Sequence, residues 1–310
     1  MSRYKETDLS RVSVKSVQDR PSKVEPGAFA RFADDLLDSM PDILKGADFK
    51  EFVGLCRQAM AQGKPIIIAL GGHVIKCGLT PLLVKLMEVG AVKCFVINGS
   101  VAIHDYELAF FGKTSEDVSK GLADGSFGMV YETTHGINSV ITQGSEEQLG
   151  FGEALGRHIL SAAPHPEISL LATAYKHGIP VTAHIGLGSD IVHQTPCADG
   201  KAIGDCSLRD FRILCEQIKE LNKGGVYINL GSAVLLPEVF LKSLTVARNV
   251  YGEVKDFTTA VFDMNLHYRA MENVVRRPVE TGGKGFYFIG HHEIMVPLLV
   301  QQLLKGTLSS

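Results

Sequence analysis

Six short, mostly apolar runs recur along the chain, over residues 66–70, 93–97, 179–183, 225–230, 258–262 and 285–289, and each stops at a polar or glycine-containing turn. A strand that is apolar along its whole length leaves no face for water. It therefore belongs to a parallel sheet covered by helices on both sides. Segments of helical period follow several of the runs, as from Leu82 to Val89 and from His104 to Phe111. The pattern predicts an α/β fold: a doubly wound, mostly parallel sheet with helices on both faces, Rossmann-like in its alternation.

Composition narrows the partners. With 31 Lys and Arg against 34 Asp and Glu, and a net charge of -3, the chain lacks the basic excess that binding a phosphate backbone requires, which argues against nucleic acid. The apolar runs fall far short of the roughly 20 residues of a membrane span, and the polar start Met1-Ser2-Arg3-Tyr4-Lys5-Glu6 is no secretory signal. A cytoplasmic protein is expected. The six cysteines include no CxxC pair, so they read as reduced thiols and no metal site is expected. Residues 1–27 read as an extended arm. No linker or repeat interrupts residues 28–310, which are expected to form one domain, opening with two helices broken near Pro41.

In doubly wound sheets ligands bind beyond the carboxyl ends of the strands. The turns there carry Gly71-Gly72-His73, Asn98-Gly99-Ser100 with His104-Asp105, His184 through Asp190, Gly231-Ser232, Asp263 with Asn265, and Gly290-His291-His292-Glu293. Glycine at a strand-to-helix turn lets main-chain N–H groups approach a pyrophosphate, although no GxGxxG is present and tight-turn sterics explain a Gly-Gly equally well. Gly186-Leu187-Gly188-Ser189-Asp190 offers a ligand loop, or a turn in which Ser189 or Asp190 caps a helix. The strand-end histidines suit proton transfer or hydrogen bonding to a nicotinamide or an amine. In His104-Asp105-Tyr106-Glu107, placed at a helix start, the carboxylates either complement the helix dipole or accept a ribose hydroxyl or a cationic amine. GxSxG and Walker A sequences are absent, which removes the strongest markers of serine hydrolysis and P-loop phosphoryl transfer.

The order of these turns resembles the deoxyhypusine synthase family from about Pro65 to Leu304. The resemblance is carried by residues 69–78, Val96-Ile97-Asn98-Gly99-Ser100, His135-Gly136-Ile137-Asn138, residues 174–181, Gly188-Ser189-Asp190, Asn229-Leu230-Gly231-Ser232 and Val296-Pro297-Leu298-Leu299-Val300. It implies an NAD-binding α/β fold, a homo-oligomer (tetramer or dimer), and oxidation of spermidine followed by transfer of an aminobutyl group through an enzyme lysine. Two departures bear on that chemistry. Asn273-Val274-Val275-Arg276-Arg277-Pro278-Val279 stands where the family has its Trp-Gly-Lys stretch and holds no lysine, and an arginine stays protonated and forms no imine. Val234-Leu235-Leu236-Pro237-Glu238 replaces the family's Lys-His pair with largely apolar residues.

Carried over position by position, the resemblance implies NAD contacts from His73, Cys77, Asn98, Gly99, Asp105, Gly188, Asp190, Gly231, Ser232, Asp263, Asn265 and His291. His104, His184, Glu238 and Arg276 fall on the reacting or substrate side. The expected function is NAD-dependent hydride transfer on a polyamine, an amino acid or another amine-bearing small molecule without a covalent lysine intermediate. The alternatives are genuine deoxyhypusine synthesis with Lys284 as nucleophile, and a non-catalytic oligomer that binds NAD or a polyamine.

Overall fold

The computed structural model describes residues 12–13 and 35–305. The arm expected over 1–27 lies outside the described residues, apart from Val12 and Ser13. The chain divides into two compact units, one ending at Lys50 and one running from Glu51 onward. In the first, Asp35 caps the helix Leu36–Ser39 by accepting from Leu37 N at 2.9 Å, and Lys50 pairs with Asp42 at 2.7 Å. The helix Leu44–Ala61 begins after the break at Pro41.

The second unit is built on six strands: β1 (Ile66–Leu70), β2 (Val92–Asn98), β3 (Val181–His184), β4 (Val226–Leu230), β5 (Phe257–Asp263) and β6 (Gly283–Ile289). Their order is β3-β2-β1-β4-β5-β6, and every neighbouring pair is parallel. The register pairs Leu70 with both Ile97 and Leu230, Asn98 with His184, and Asp263 with Ile289, so the carboxyl ends lie level along one edge. Strand order reverses between β1 and β4, which opens a crevice there. β1, β4 and β5 are buried at every position, as unbroken apolar runs require.

Successive strand residues point to opposite faces. Val261 and Tyr287 join a core completed by Leu236, Phe240 and Leu244 of the helix Leu235–Tyr251, where the Tyr227 and Phe240 rings stack at 3.7 Å. Phe262, Phe286 and Phe288 take the other face and surround Phe52 at 5.6–5.7 Å. Each such side chain contributes about 1.5–3 kcal/mol by leaving water. Between β2 and β3 the chain inserts the helices Gly99–Phe111, Val118–Asp124, Tyr131–Glu146, Phe151–Ala162 and Leu170–Lys176. No helix among the described residues is long and apolar enough to cross a membrane, and all six cysteines are free.

Candidate functional site

The turns at the carboxyl edge touch one another in sequence from β3 to β6. Asp190, after β3, lies with its carboxylate directly over Gly99, where a Cβ would collide with it. Ser100 and His104, on the helix after β2, crowd Gly72 in the same way. Gly71 donates to Leu230 O at 2.8 Å, and a Cβ there would run into the carbonyl of Gly231. Gly231 itself, at φ +72°, faces the His292 ring, and its N–H donates to Phe262 O at 3.0 Å. Gly290 donates to Asp263 O at 3.0 Å. Asp190, Asn98 and Gly231, far apart in sequence, thus belong to one continuous ridge around the crevice.

Beside this ridge, over the ends of β1, β2 and β3, lies a cavity of about 740 Å³, within the size range of small-molecule sites. Lys76, Ser100, His104, Asp190 and the inserted segment 111–133 wall it. His104 Nδ1 lies 2.7 Å from Thr114 Oγ1, which donates to Glu107 Oε2 at 2.5 Å, while Thr133 donates to Glu107 Oε1 at 3.0 Å. A carboxylate only accepts, so the single Thr114 proton goes to Glu107 and the Thr114 oxygen accepts from His104 Nδ1–H. The other nitrogen, Nε2, then carries a lone pair. Burial, reinforced by Lys76, pushes the His104 pKa down to about 4 and keeps the ring neutral at physiological pH. His104 and Glu107 do not lie at a helix start as expected: the helix begins at Gly99, N-capped by Asn98 Oδ1, which accepts from Val101 N at 3.1 Å. The dipole account of these acids falls with that register.

The remaining sequence-derived candidates separate by position. Asp190 caps the short helix Ile191–His193, and burial raises its pKa against the opposing pull of His193 and Ser189. Gly188 takes φ +88° in the same loop and donates to His193 Nδ1 at 3.1 Å. Ser232 is buried, its hydroxyl accepting from Leu236 N at 3.2 Å. Asp263 accepts from Asn265 N at 3.1 Å and faces His267 Nε2 at 3.3 Å. His184, with burial pushing its pKa down to about 3, bonds Thr182 at 3.1 Å. His73, Cys77 and His291 border the crevice from the helix Gly72–Lys76 and the start of the last helix.

Asp105 is turned into the protein. It is fully buried and accepts from Ser169 Oγ, Leu170 N and Leu171 N at 2.5, 2.7 and 3.1 Å, closing the start of the helix Leu170–Lys176. Glu238 pairs with Lys242 and with Arg269, the latter at 3.1 Å, and accepts from Asn273. Arg276 is exposed and paired with Glu272 at 2.8 Å. It follows Val275, whose carbonyl packs on Gly285 in the first half of β6, so it lies toward the amino edge, away from the ridge. Lys284 is the second residue of β6 and forms an exposed pair with Glu51. At ~3.3 Å per residue, it sits more than a dozen ångströms from the carboxyl edge.

Sequence reading missed Thr114, Thr133 and Lys113, and it named His292 only among the strand-end histidines while carrying His291 forward as the contact. His292 is 2% exposed, and neither ring nitrogen has a partner among the described residues, whereas the neighbouring His291 is exposed. The signal was available in register: His291 is the N-cap and His292 the first helical residue, turned toward Gly231.

No protein-family model matches the chain, and no curated protein matches it in sequence. Solved structures share its fold. A conserved protein of the LOR/SDH type from Methanococcus maripaludis S2 is 15% identical with a TM-score of 0.52, over 85% of this chain and 71% of that one. Apo ArgZ, an arginine dihydrolase from the ornithine-ammonia cycle in cyanobacteria, is 19% identical with a TM-score of 0.51, over 85% of this chain and 33% of that one. AgrE in ternary complex with ornithine and NAD⁺ is 15% identical with a TM-score of 0.51, over 85% of this chain and 34% of that one. The chain thus spans about a third of the length of ArgZ and AgrE. These likenesses show the fold alone, a Rossmann-like parallel α/β sheet, as the unbroken apolar runs predict.

Proposed function

We propose that this chain is an NAD-dependent enzyme that acts on a small amine-bearing molecule by hydride transfer, without a covalent lysine intermediate. The observation that carries the reading is the ridge at the β1/β4 switch point, where dinucleotides bind in sheets of this order. The residues there fit such a ligand: the buried His292 nitrogens and the Asn229 Oδ1 lack partners among the described residues, and buried polar atoms left in that state favour a polar ligand. Asn98, Gly99, Gly188, Asp190, Gly231, Ser232, Asp263 and Asn265 would hold the dinucleotide with His292. When bound, NAD⁺ supplies a hydride acceptor.

The chain's own residues account for the substrate side. His104 Nε2, unprotonated and lining the cavity, accepts a hydrogen bond from an ammonium group. Lys76 and Lys113 line the same cavity as Glu107, Glu116, Glu132 and Asp190. Mixed charge suits an amino acid, whose carboxylate and ammonium need opposite partners, better than a polyamine, which is cationic throughout; the AgrE complex with ornithine and NAD⁺ points the same way. Lys76 and Lys113 are both exposed, whereas an imine-forming lysine is desolvated. With Lys284 at the far edge, the geometry favours direct transfer over the lysine route. The proposal includes a homo-oligomer, which sedimentation velocity checks.

The deciding experiment is mass spectrometry of small molecules released from the denatured, purified chain, with calorimetric titration of NAD⁺. Ornithine, arginine and spermidine are then added to the NAD⁺ complex while enzyme-bound NADH is followed by absorbance. Retained or titratable NAD⁺ with transient NADH is expected. A chain that neither retains nor binds NAD⁺ overturns the reading.

A further inference from the structure

Next to the switch point, three side chains of different chemistry converge from two elements. His73 and Cys77 lie one helical turn apart, with Cys77 N–H donating to His73 O at 2.9 Å, so their side chains leave the same face. Glu293 comes from the first turn of the helix His292–Leu304. One donor atom from each of the three lies within 4.8 Å of the others, and Cys77 Sγ stands 3.8 Å from Glu293 Oε2. Around a tetrahedral zinc, with bonds of about 2.3 Å to sulfur and 2.0 Å to oxygen, those two atoms would be about 3.5 Å apart. Tetrahedral ligation would draw all three donors in from within 4.8 Å to about 3.5 Å of one another.

We propose that His73, Cys77 and Glu293 bind a single zinc-class divalent ion that pins the helix after β1 to the start of the last helix. The donor set selects the metal class: thiolate and imidazole favour zinc over magnesium or calcium, which take oxygen ligands. Binding replaces the thiol proton with the metal, so one proton leaves to solvent for each ion bound. Three protein ligands leave a fourth position for water or substrate, as in catalytic rather than structural zinc sites. His291 Nδ1 lies 3.9 Å from Glu293 Oε1, the oxygen turned away from Cys77. That distance is too long for a hydrogen bond, and rotation of either side chain would bring the pair into the outer-shell contact that metal-binding carboxylates use. His73 and Glu293 are exposed and Cys77 is half-buried, so an ion reaches them from solvent.

This spacing was legible only in part. His73 and Cys77 are four residues apart, which is helical ligand spacing, but Glu293 is brought in by the strand order alone.

The test is titration of the chelator-treated full chain with Co²⁺. One equivalent is expected to give a thiolate-to-cobalt charge-transfer band and the strong visible bands of four-coordinate cobalt, and Zn²⁺ is expected to displace it. Cys77→Ser is expected to abolish the charge-transfer band. Glu293→Gln, an exposed substitution that leaves the core untouched, is expected to weaken affinity strongly, and His291→Ala by about 10–100-fold. Far-ultraviolet circular dichroism checks that each variant is folded. Absence of stoichiometric cobalt binding, binding without the charge-transfer band, or a band that survives in folded Cys77→Ser overturns the proposal. None of these readouts involves NAD⁺, so they stand or fall apart from the proposed enzyme activity.

Discussion

Two carboxylates on one helix, two residues apart, have opposite fates. Glu107 faces the cavity and holds Thr114 and Thr133, whereas Asp105 faces inward and serves three donors. Sequence alone could not divide them, because the division depends on where the helix starts. The resulting network fixes His104 as the Nδ1–H tautomer, which side-chain ¹H–¹⁵N correlation spectra should show at pH 7 and down to about pH 5, with protonation only near its pKa of about 4. An Nε2–H tautomer at pH 7 would remove His104 as an acceptor in the cavity. Asp105 makes a second prediction. Burial raises its pKa to about 6 against the pull of its hydrogen bonds, so a neutral group is tolerated there while an acceptor is indispensable. Both oxygens accept, Oδ1 from Leu170 N and Oδ2 from Ser169 Oγ and Leu171 N, so Asp105→Asn, which keeps one acceptor and turns an NH2 onto a buried donor, should cost about 1–3 kcal/mol in urea unfolding. Asp105→Ala, which orphans all three donors, should cost more, about 2–4 kcal/mol, and a negligible loss in Asp105→Ala would show that water reaches the cap.

The six strands were legible because burial on both faces leaves a continuous apolar signature, and their observed bounds fall within a few residues of the runs seen in the sequence. The inserted helices between β2 and β3 were not, apart from the His104–Phe111 part of the first. Tyr131–Glu146, for example, carries Thr133, Thr134 and Asn138 on its buried face, so polarity there does not mark the solvent side. The stretch 111–133 supplies most of the cavity wall, and Thr114 and Thr133 were missed with it. The glycines were visible, but their reason was not: Gly231 is required by the His292 ring and by its left-handed backbone, neither of which is local in sequence. Gly231→Ala is expected to cost about 1–2 kcal/mol for the backbone conformation and about 1–3 kcal/mol for crowding. The readout is a lowered urea midpoint with an unchanged m-value. A loss no larger than the backbone contribution would mean that His292 swings away, which would also weaken its assignment to the crevice.

Across the whole molecule, four deeply placed groups set a proton balance that no single element reveals. Burial raises the pKa of Asp105 to about 6 and that of Asp210, which sits on the helix Gly200–Ile218 and accepts from Gly152 N and Ala183 N, to about 7, and it lowers that of His104 to about 4 and that of His184 to about 3. Relative to unfolded values of 3.8 and 6.5, the folded protein near pH 5 holds about two extra protons on the acids and about two fewer on the histidines. The acids thereby favour folding at low pH and lose that contribution as pH rises through 6 to 7. The histidines favour folding above pH 6.5 and lose that contribution as pH falls toward 3 to 4. The two slopes oppose each other, so removing one histidine should unmask the acids. His184→Gln retains a donor for Thr182 and no longer titrates. The stability difference between the native chain and this variant, from urea midpoints at successive pH values, should shrink by about 1.4 kcal/mol for each unit below pH 6.5. Parallel profiles would mean that His184 takes up its proton equally in the folded and unfolded chain, and hence that the end of β3 admits water where the structure buries it.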